Sequence, residues 1–492
     1  MVLESGLLQE RAERYELTGP LPPLAIPTTL HDSLMARLDR LAAVKGLAQL
    51  GATLGREFSY ELLHAVSPWD EGTLQRGLHQ LVEAEFLYQR GLPPQAMYVF
   101  KHTLIQDAAY QSLLKSTRQQ YHQHIAQVLK AQFPETAETQ PELLAHHYTE
   151  AALGGQALPY WQRAGERAIQ RSANLEAISH LTKGLEVLKT LPDTPERTRQ
   201  ELDLQTTLGP ALMVTRGFAA PEATDTYARA RQLCEQLDDT QQLFPVFVGL
   251  WRSAHVQAQL QTARALGEQL VSLAKGQGDS ALLVEAHGPL GQTLCMQGEP
   301  ILAREHLNQV AAFYEPHRHS ALAFHVGYDA GIYARAMEGW VLWLLGYPGQ
   351  ALQCSQDALG LAREQSHPFT LSITLATVAL LQQMRRDGDA LLEHMQASMV
   401  LATEHGFPYL RAVGTVLQGW ALTRVGQVAE GIVQMREGLA ELRAMGSEVL
   451  RPYLLALLAE VCGSSGQIEA GLGRSEERRV GKECRSRWSP YH

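Results

Sequence analysis

By residue type, the histidines are the best equipped for chemistry: His102, then His122 and His124, then His146 and His147. A zinc site needs ligands converging on one face, usually with cysteines or a HExxH pattern. His122 and His124 are two apart, which on a helix sends them to different sides. No CxxC or HExxH accompanies them, so they read as packing and helix-surface histidines. His317 and His319, beside Pro316, read as solvated loop residues. Gly473, Gly481 and Lys482 loosely imitate a phosphate loop, but eight positions separate the glycines and Glu483 follows the lysine, which breaks the G-x-x-x-x-G-K-[ST] geometry. Trp340 and Trp343, with Leu344 and Leu345, read as repeat core rather than a ligand box. No nucleophile elbow or carboxylate pair is present, so the sequence offers no catalytic, cofactor-binding or metal residue.

The elements that would position any site come next. At 492 residues the chain is too long for one ordinary core and implies several units or a repeat array. Its 42 basic and 52 acidic residues give a net charge of −10, which disfavours a phosphate backbone as the main partner. Cys234, Cys295, Cys354, Cys462 and Cys484 are scattered, which suits reduced, buried thiols rather than a disulfide or zinc framework. No run of eighteen apolar residues occurs, and the expectation is a cytoplasmic protein without a membrane span.

Thr18 to Pro27 (TGPLPPLAIP) holds four prolines and reads as an extended connector. Thr28 and Thr29 offer an N-cap to a helix carrying Leu30, Leu34, Leu38 and Leu41. Two short helices near 44–52 and 60–66 precede a third, opened by Ser67-Pro68-Trp69-Asp70, that buries Leu74, Leu78, Leu81 and Val82. Phe86-Leu87-Tyr88 and Met97-Tyr98-Val99-Phe100 flank a Gly/Pro turn, a hairpin signal. Three helices and a hairpin make a winged-helix-like unit. Its third helix sets only Arg76 and His79 against Asp70, Glu71, Glu83 and Glu85, a poor major-groove reader.

Beyond Ile105 the pattern is helical, and the C-terminal half repeats. Gly298, Gly346, Gly388, Gly426 and Gly466 align as turn glycines with spacings of 48, 42, 38 and 40. Seven positions earlier stand Gly291, Gly339 and Gly419; five later stand the small residues Ala303, Ala351 and Gly431. Small residues at fixed offsets, with terminal prolines Pro316, Pro368, Pro408 and Pro452, are what stacked helical hairpins require. The expected fold is therefore mainly α: a winged-helix-like unit with a short β-hairpin, then a tetratricopeptide-like α-solenoid. Expected boundaries are 1–26 for a module remnant and connector, 27–114 for the winged helix, 115–195 for a helical linker and first hairpins, and 196–472 for the repeats.

Four stretches, IPTTLHDSLMARLDRL, LGREFSYELL, FKHTLIQDAAYQSLL and ELLAHHYTEA, closely resemble a family of large bacterial signalling proteins. Many members carry an N-terminal class III adenylate/guanylate cyclase domain, then a signal-transduction ATPase of the STAND type, a winged helix and tetratricopeptide-like repeats. The resemblance runs from Met1 to about Leu472 and implies a regulatory, protein-interacting sensor half. The family's phosphate loop and metal-binding acidic residues would lie before Met1, so none maps here and enzymatic activity is left open. The FKHTLIQDAAYQSLL segment reads as one continuous helix joining wing to repeats. The partners implied are the ATPase and cyclase modules of the same polypeptide, plus a protein or small-molecule signal at the repeat groove. A STAND transcription activator, or a free-standing repeat scaffold, are the alternatives. Separately, Arg474 to His492 (RSEERRVGKECRSRWSPYH) resembles translated sequencing adapter, so 473–492 is expected to be non-native, with the native C-terminus missing.

Overall fold

Helical periodicity governs this chain, and the computed structural model is accordingly mainly α; it describes residues 8–11, 14–17, 30–239, 242–316 and 327–466. The connector at 18–27, the caps at Thr28 and Thr29, His317, His319, Cys484 and the 473–492 tail lie outside the described residues. Contacts divide the chain into two compact units, residues 1–153 and 154–492.

In the first unit, β1 (Leu8–Arg11) and β2 (Arg14–Leu17) form an antiparallel pair. α1 (Leu30–Arg40) and α2 (Ala42–Leu54) follow, with Leu38, Leu47 and Leu50 buried. β3 (Glu57–Ser59) leads into α3 (Tyr60–Val66), and α4 (Glu71–Glu83) follows. Asp70 caps α4 by accepting from the Thr73 amide at 3.0 Å, which satisfies an orphan N–H of the first turn. α4 buries Leu74, Leu78 and Leu81, while Val82 is only half-buried.

The expected hairpin is β4 (Leu87–Arg90) with β5 (Met97–Phe100), but β3 joins it, so the antiparallel sheet runs β3-β5-β4. Three residues are too short to register as a strand by alternation; Phe58, buried at the middle of β3, is what fastens it. A Cβ on Gly51 of α2 would come within 2.8 Å of the Phe58 ring, so helix and sheet meet at a side-chain-free position. The unit thus sets a small three-stranded antiparallel sheet against helices.

The FKHTLIQDAAYQSLL segment is not one continuous helix. α5 (Thr103–Gln111) ends, and α6 (Lys115–Gln132) starts after a break. Ser112 makes the break: its hydroxyl donates to the Ala109 carbonyl at 2.6 Å and accepts from Gln49 at 2.8 Å. A hydroxyl that bonds the preceding turn competes with helix propagation. α7 (Pro134–Thr139) and α8 (Pro141–Glu150) complete the unit.

The second unit is a tetratricopeptide-like array of helical hairpins. α9 (Gly154–Gln170), α10 (Asn174–Leu188), α11 (Pro195–Arg216) and α12 (Pro221–Leu237) lead in. The regular hairpins pair α13 (Leu243–Val256) with α14 (Leu260–Gln277), and α15 (Ser280–Met296) with α16 (Pro300–Phe313). They continue as α17 (Ala330–Leu344) with α18 (Pro348–Gln365), α19 (Pro368–Met384) with α20 (Gly388–His405), and α21 (Pro408–Arg424) with α22 (Val428–Ala444). α23 (Arg451–Ser464) follows.

The period is more regular than the glycines suggest. Within hairpins, the residues with left-handed backbone are Ala258, Gly298, Gly346, Arg386, Gly426 and Gly466, at intervals of 40, 48, 40, 40 and 40. Gly388 is therefore not the turn glycine of its hairpin: Arg386 (φ 63°) takes that conformation, and Gly388 is the first residue of α20. The left-handed position thus lies two residues before the glycine, because the backbone here tolerates arginine. Between hairpins, Asp238, Gly278, Ser366, Gly406 and Gly446 keep the same register.

The small residues bring paired helices into near backbone contact. A Cβ on Gly291 would lie 3.0 Å from Leu307 and 3.3 Å from the Ala303 carbonyl; on Gly339, 2.9 Å from the Ser355 hydroxyl and 3.1 Å from the Ala351 carbonyl. On Gly419 it would lie 2.6 Å from the carbonyl oxygen of Gly431. Gly419→Ala should therefore lower stability by about 1–3 kcal/mol through overpacking. Gly388→Ala, with nothing within 4 Å of the new methyl, should be neutral or stabilising by about 0.5 kcal/mol. Denaturant midpoints of the two variants check this contrast.

Candidate functional site

The first helix of each regular hairpin faces the interior of the array, and its ends are drawn together by a seam. The amides of Glu448 and Val449 donate to the Val256 carbonyl at the end of α13, at 2.8 and 3.0 Å. Beside them a Cβ on Gly446 would sit 3.4 Å from that of Ala219, and one on Gly217 would sit 3.6 Å from that of Met445. Phe218, in the same turn, packs its ring 5.8 Å from Tyr409 and 6.0 Å from Phe369. The array thus closes on itself around a cavity of about 70 Å³.

Aromatic rings from α13, α17 and α21 line this cavity: Trp251, Tyr333, Trp340 and Tyr409, with Tyr328 just before α17. Both indole N–H groups are satisfied within the fold, Trp251 by the Thr293 hydroxyl and Trp340 by the Thr377 carbonyl, each at 2.9 Å. The rings are thereby fixed and the cavity is pre-shaped. Val449 and Leu450 of the seam form part of its wall.

Polar groups converge on one side. Arg252, 4% exposed, holds its guanidinium 4.5 Å over the Tyr328 ring. The Tyr328 hydroxyl lies beside both Arg252 and Gln292. Gln292 is 3% exposed, and its Nε2 has no hydrogen-bond partner. Nearby, burial pushes the Glu285 carboxyl up to about 7, the Arg252 charge opposing the shift and Asp329 adding to it. Asp329 caps α17: one oxygen accepts from the Ile332 amide at 3.0 Å, the other from the Tyr314 hydroxyl at 2.9 Å and Gln365 at 3.0 Å. Burial still raises its carboxyl above the ordinary range. His255, also in the wall, is held neutral, burial taking it down to about 4.

Of the residues singled out by sequence, Trp340 is core and cavity wall at once, while Trp343 packs half-buried against the core. Arg252, Glu285, Gln292 and Asp329 were missed. The signal was present in Arg252, a lone cation within the apolar run LFPVFVGLWRSAHV, because a buried charge demands a partner. The glycines Gly298, Gly346, Gly426 and Gly466 lie in turns, and Gly291, Gly339 and Gly419 between helices, away from this wall.

The histidines separate as spacing implied: His122 is buried and His124 exposed. His122 nevertheless meets His147, Nδ1 to Nδ1 at 2.7 Å, and its Nε2 lies 2.9 Å from the Tyr110 hydroxyl. His102 and His146 are exposed. Among the described residues no three His, Cys, Asp or Glu are placed to hold a metal ion. On α4, Arg76 bonds the Thr73 hydroxyl and His79 pairs with Glu83 at 3.1 Å, so its basic groups are spent locally. Cys234, Cys295, Cys354 and Cys462 are buried free thiols. No described helix is long and apolar enough to cross a membrane.

No family model matches the chain. An uncharacterized protein of Rhizobium meliloti (strain 1021) is 24% identical over 456 residues, covering 90% of this chain and 44% of the relative. The chain thus spans less than half the length of that curated relative. Among solved structures it resembles a STAND protein with a tetratricopeptide repeat sensor from Pyrococcus horikoshii, at 10% identity and a TM-score of 0.46, covering 92% of this chain and 66% of that one. It also resembles NprR in complex with its cognate peptide NprX, at 12% identity and a TM-score of 0.45, covering 78% and 97%.

The buried histidines give the chain an acid-sensitive fold. Burial lowers His122 to about 4, with His147 shifted the same way, against about 6.5 in the unfolded chain. Below pH 6.5 the unfolded state takes up protons that the folded state refuses, so the stability present above 6.5 is lost as pH falls towards 4. For His122 alone the loss reaches ~3 kcal/mol. Thermal midpoints across pH 7 to 4.5 should fall, and His122→Gln should shallow that slope.

Proposed function

We propose that this chain is the non-catalytic sensor and protein-interaction part of a bacterial signalling ATPase linked to a nucleotidyl cyclase. The observation that carries the reading is the closed array around an aromatic cavity with a buried cation in its wall. A stable scaffold gains nothing from an arginine and an unpaired amide at its centre, whereas a binding site needs polar groups to orient its ligand. On this reading the seam at Val256 is the part that moves: parting its two backbone hydrogen bonds and the Phe218 packing beside them would open the cavity and alter the curvature of the stacked hairpins. A ligand that favours one arrangement shifts the population, and the shift can travel along the array.

In this reading residues 1–26 belong to the end of the ATPase module and its connector, 27–114 relay the state of the array to the ATPase, 115–195 link the two, and 196–472 sense. The glycines Gly291, Gly339 and Gly419 keep the hairpins stiff enough for that relay. The setting is cytoplasmic, where nucleotide is available. The signal is a protein, peptide or small molecule taken up by the array.

The test uses the full-length polypeptide to which this chain belongs, assayed for ATP hydrolysis and cyclic nucleotide formation. Removing residues 154–466 should change both outputs several-fold. Joining the seam as Ala219→Cys with Gly446→Cys should do so reversibly with thiol reduction, since their Cβ atoms would lie 3.4 Å apart, near disulfide geometry. Outputs indifferent to both changes would sink the sensor reading.

A further inference from the structure

We propose that the cavity is a binding site for a small monocarboxylate with a short apolar body, its carboxylate held by Arg252 and Gln292. This rests on the reading of the array as a sensor and adds the chemistry of what it senses. Three donors meet at one wall: the Arg252 guanidinium, stacked 4.5 Å over Tyr328; the Tyr328 hydroxyl between Arg252 and Gln292; and the Gln292 amide. Gln292 is 3% exposed and its Nε2 makes no hydrogen bond within the fold, although the Tyr328 hydroxyl lies beside its side chain. Such a group weakens the empty protein, and it is what a site built for a ligand's acceptor leaves behind.

Charge selects the anion. A guanidinium fork matches the two oxygens of a carboxylate. Arg252 already interacts electrostatically with Glu285, which also feels the Asp329 carboxylate, so the single cation of the wall cannot neutralise a phosphate dianion. The remaining walls are apolar, with Met337, Trp340, Ile373 and Leu410. Size then limits the body: 70 Å³ is about half the roughly 150 Å³ cavity known to admit benzene. With the seam closed only an acid of about one or two carbons fits, and a four-carbon acid such as butyrate, with as many heavy atoms as benzene, enters as the seam parts.

The experiment is calorimetric titration of the full chain with butyrate and with butyramide, alongside melting of the free wild type and Gln292→Met. Butyrate should bind saturably at one site per chain, and butyramide at least about tenfold more weakly. Gln292→Met, which replaces an unsatisfied donor by an apolar chain of similar length, should raise the melting midpoint of the free protein. It should also weaken butyrate about tenfold or more. Equal binding of butyrate and butyramide, or no saturable binding of either, overturns the proposal. So does a Gln292→Met chain that melts lower and binds unchanged, since Gln292 would then serve the fold alone. Arg252→Lys keeps the charge and loses the fork, and it should weaken butyrate while the chain stays folded. None of these readouts involves an ATPase, so their failure leaves the deletion test of the sensor reading to stand or fall separately.

Discussion

One backbone motif sets the geometry of the whole array: a left-handed residue at the end of each first helix. The residue after it donates its amide to a carbonyl five positions back, as Glu299 does to Leu294, Tyr347 to Leu342, Asp387 to Gln382 and Gln427 to Leu422, at 2.8 to 3.0 Å. This is the Schellman arrangement, which satisfies orphan carbonyls and reverses the chain in very few residues. Because the turn is short and always the same, the two helices cross at the same heights each time. Gly291, Gly339 and Gly419 then fall where the crossing is closest, and only the absence of a side chain permits it. Period, crossing and glycine placement are one constraint seen three times.

That constraint explains what could be read from sequence. Helices were legible because apolar spacing repeats, and the close-packing glycines because they keep fixed offsets. Arg386 hid the true register: a left-handed arginine costs roughly 1–2 kcal/mol, which the turn's hydrogen bonds and an ion pair with Glu460 at 2.7 Å help offset. Propensity treats such a position as improbable, so a nearby glycine was chosen instead. β3 and the break at Ser112 are hidden for a related reason, since each depends on a partner distant in sequence, β5 in one case and Gln49 in the other. The cavity was the least legible feature. Its wall draws on helices far apart in sequence, brought together by the seam at Val256, and no local pattern encodes that closure.

The same interior shows how differently buried polar groups can be treated. Ser372 and Ser398 face each other across α19 and α20 with their hydroxyl oxygens 3.0 Å apart, each donating its proton to the other's carbonyl. Asp329 has both carboxylate oxygens occupied and its own amide bonded to Thr370. Tryptophan N–H groups at the cavity edge find acceptors. In these places the desolvated groups are repaired locally, whereas the Thr374 hydroxyl, fully buried on the same α19, has no hydrogen-bond partner.

Against that background the Arg252 wall stands out by contrast of chemistry rather than by conservation or similarity. A cation is placed where an apolar side chain would pack, a carboxyl beside it is driven towards neutrality, and an amide nitrogen goes unanswered. Replacing such a group by a hydrophobic one of equal shape is generally neutral or stabilising, so stability alone gives no reason for it. On the proposed reading, the reason is a ligand-bound state in which the Gln292 amide gains its acceptor. The seam joins two hydrogen bonds to the Val256 carbonyl with the packing of Phe218 and Met445, and Val449 and Leu450 belong to both seam and cavity wall. On the proposed reading, ligand chemistry and array shape meet at these same few residues.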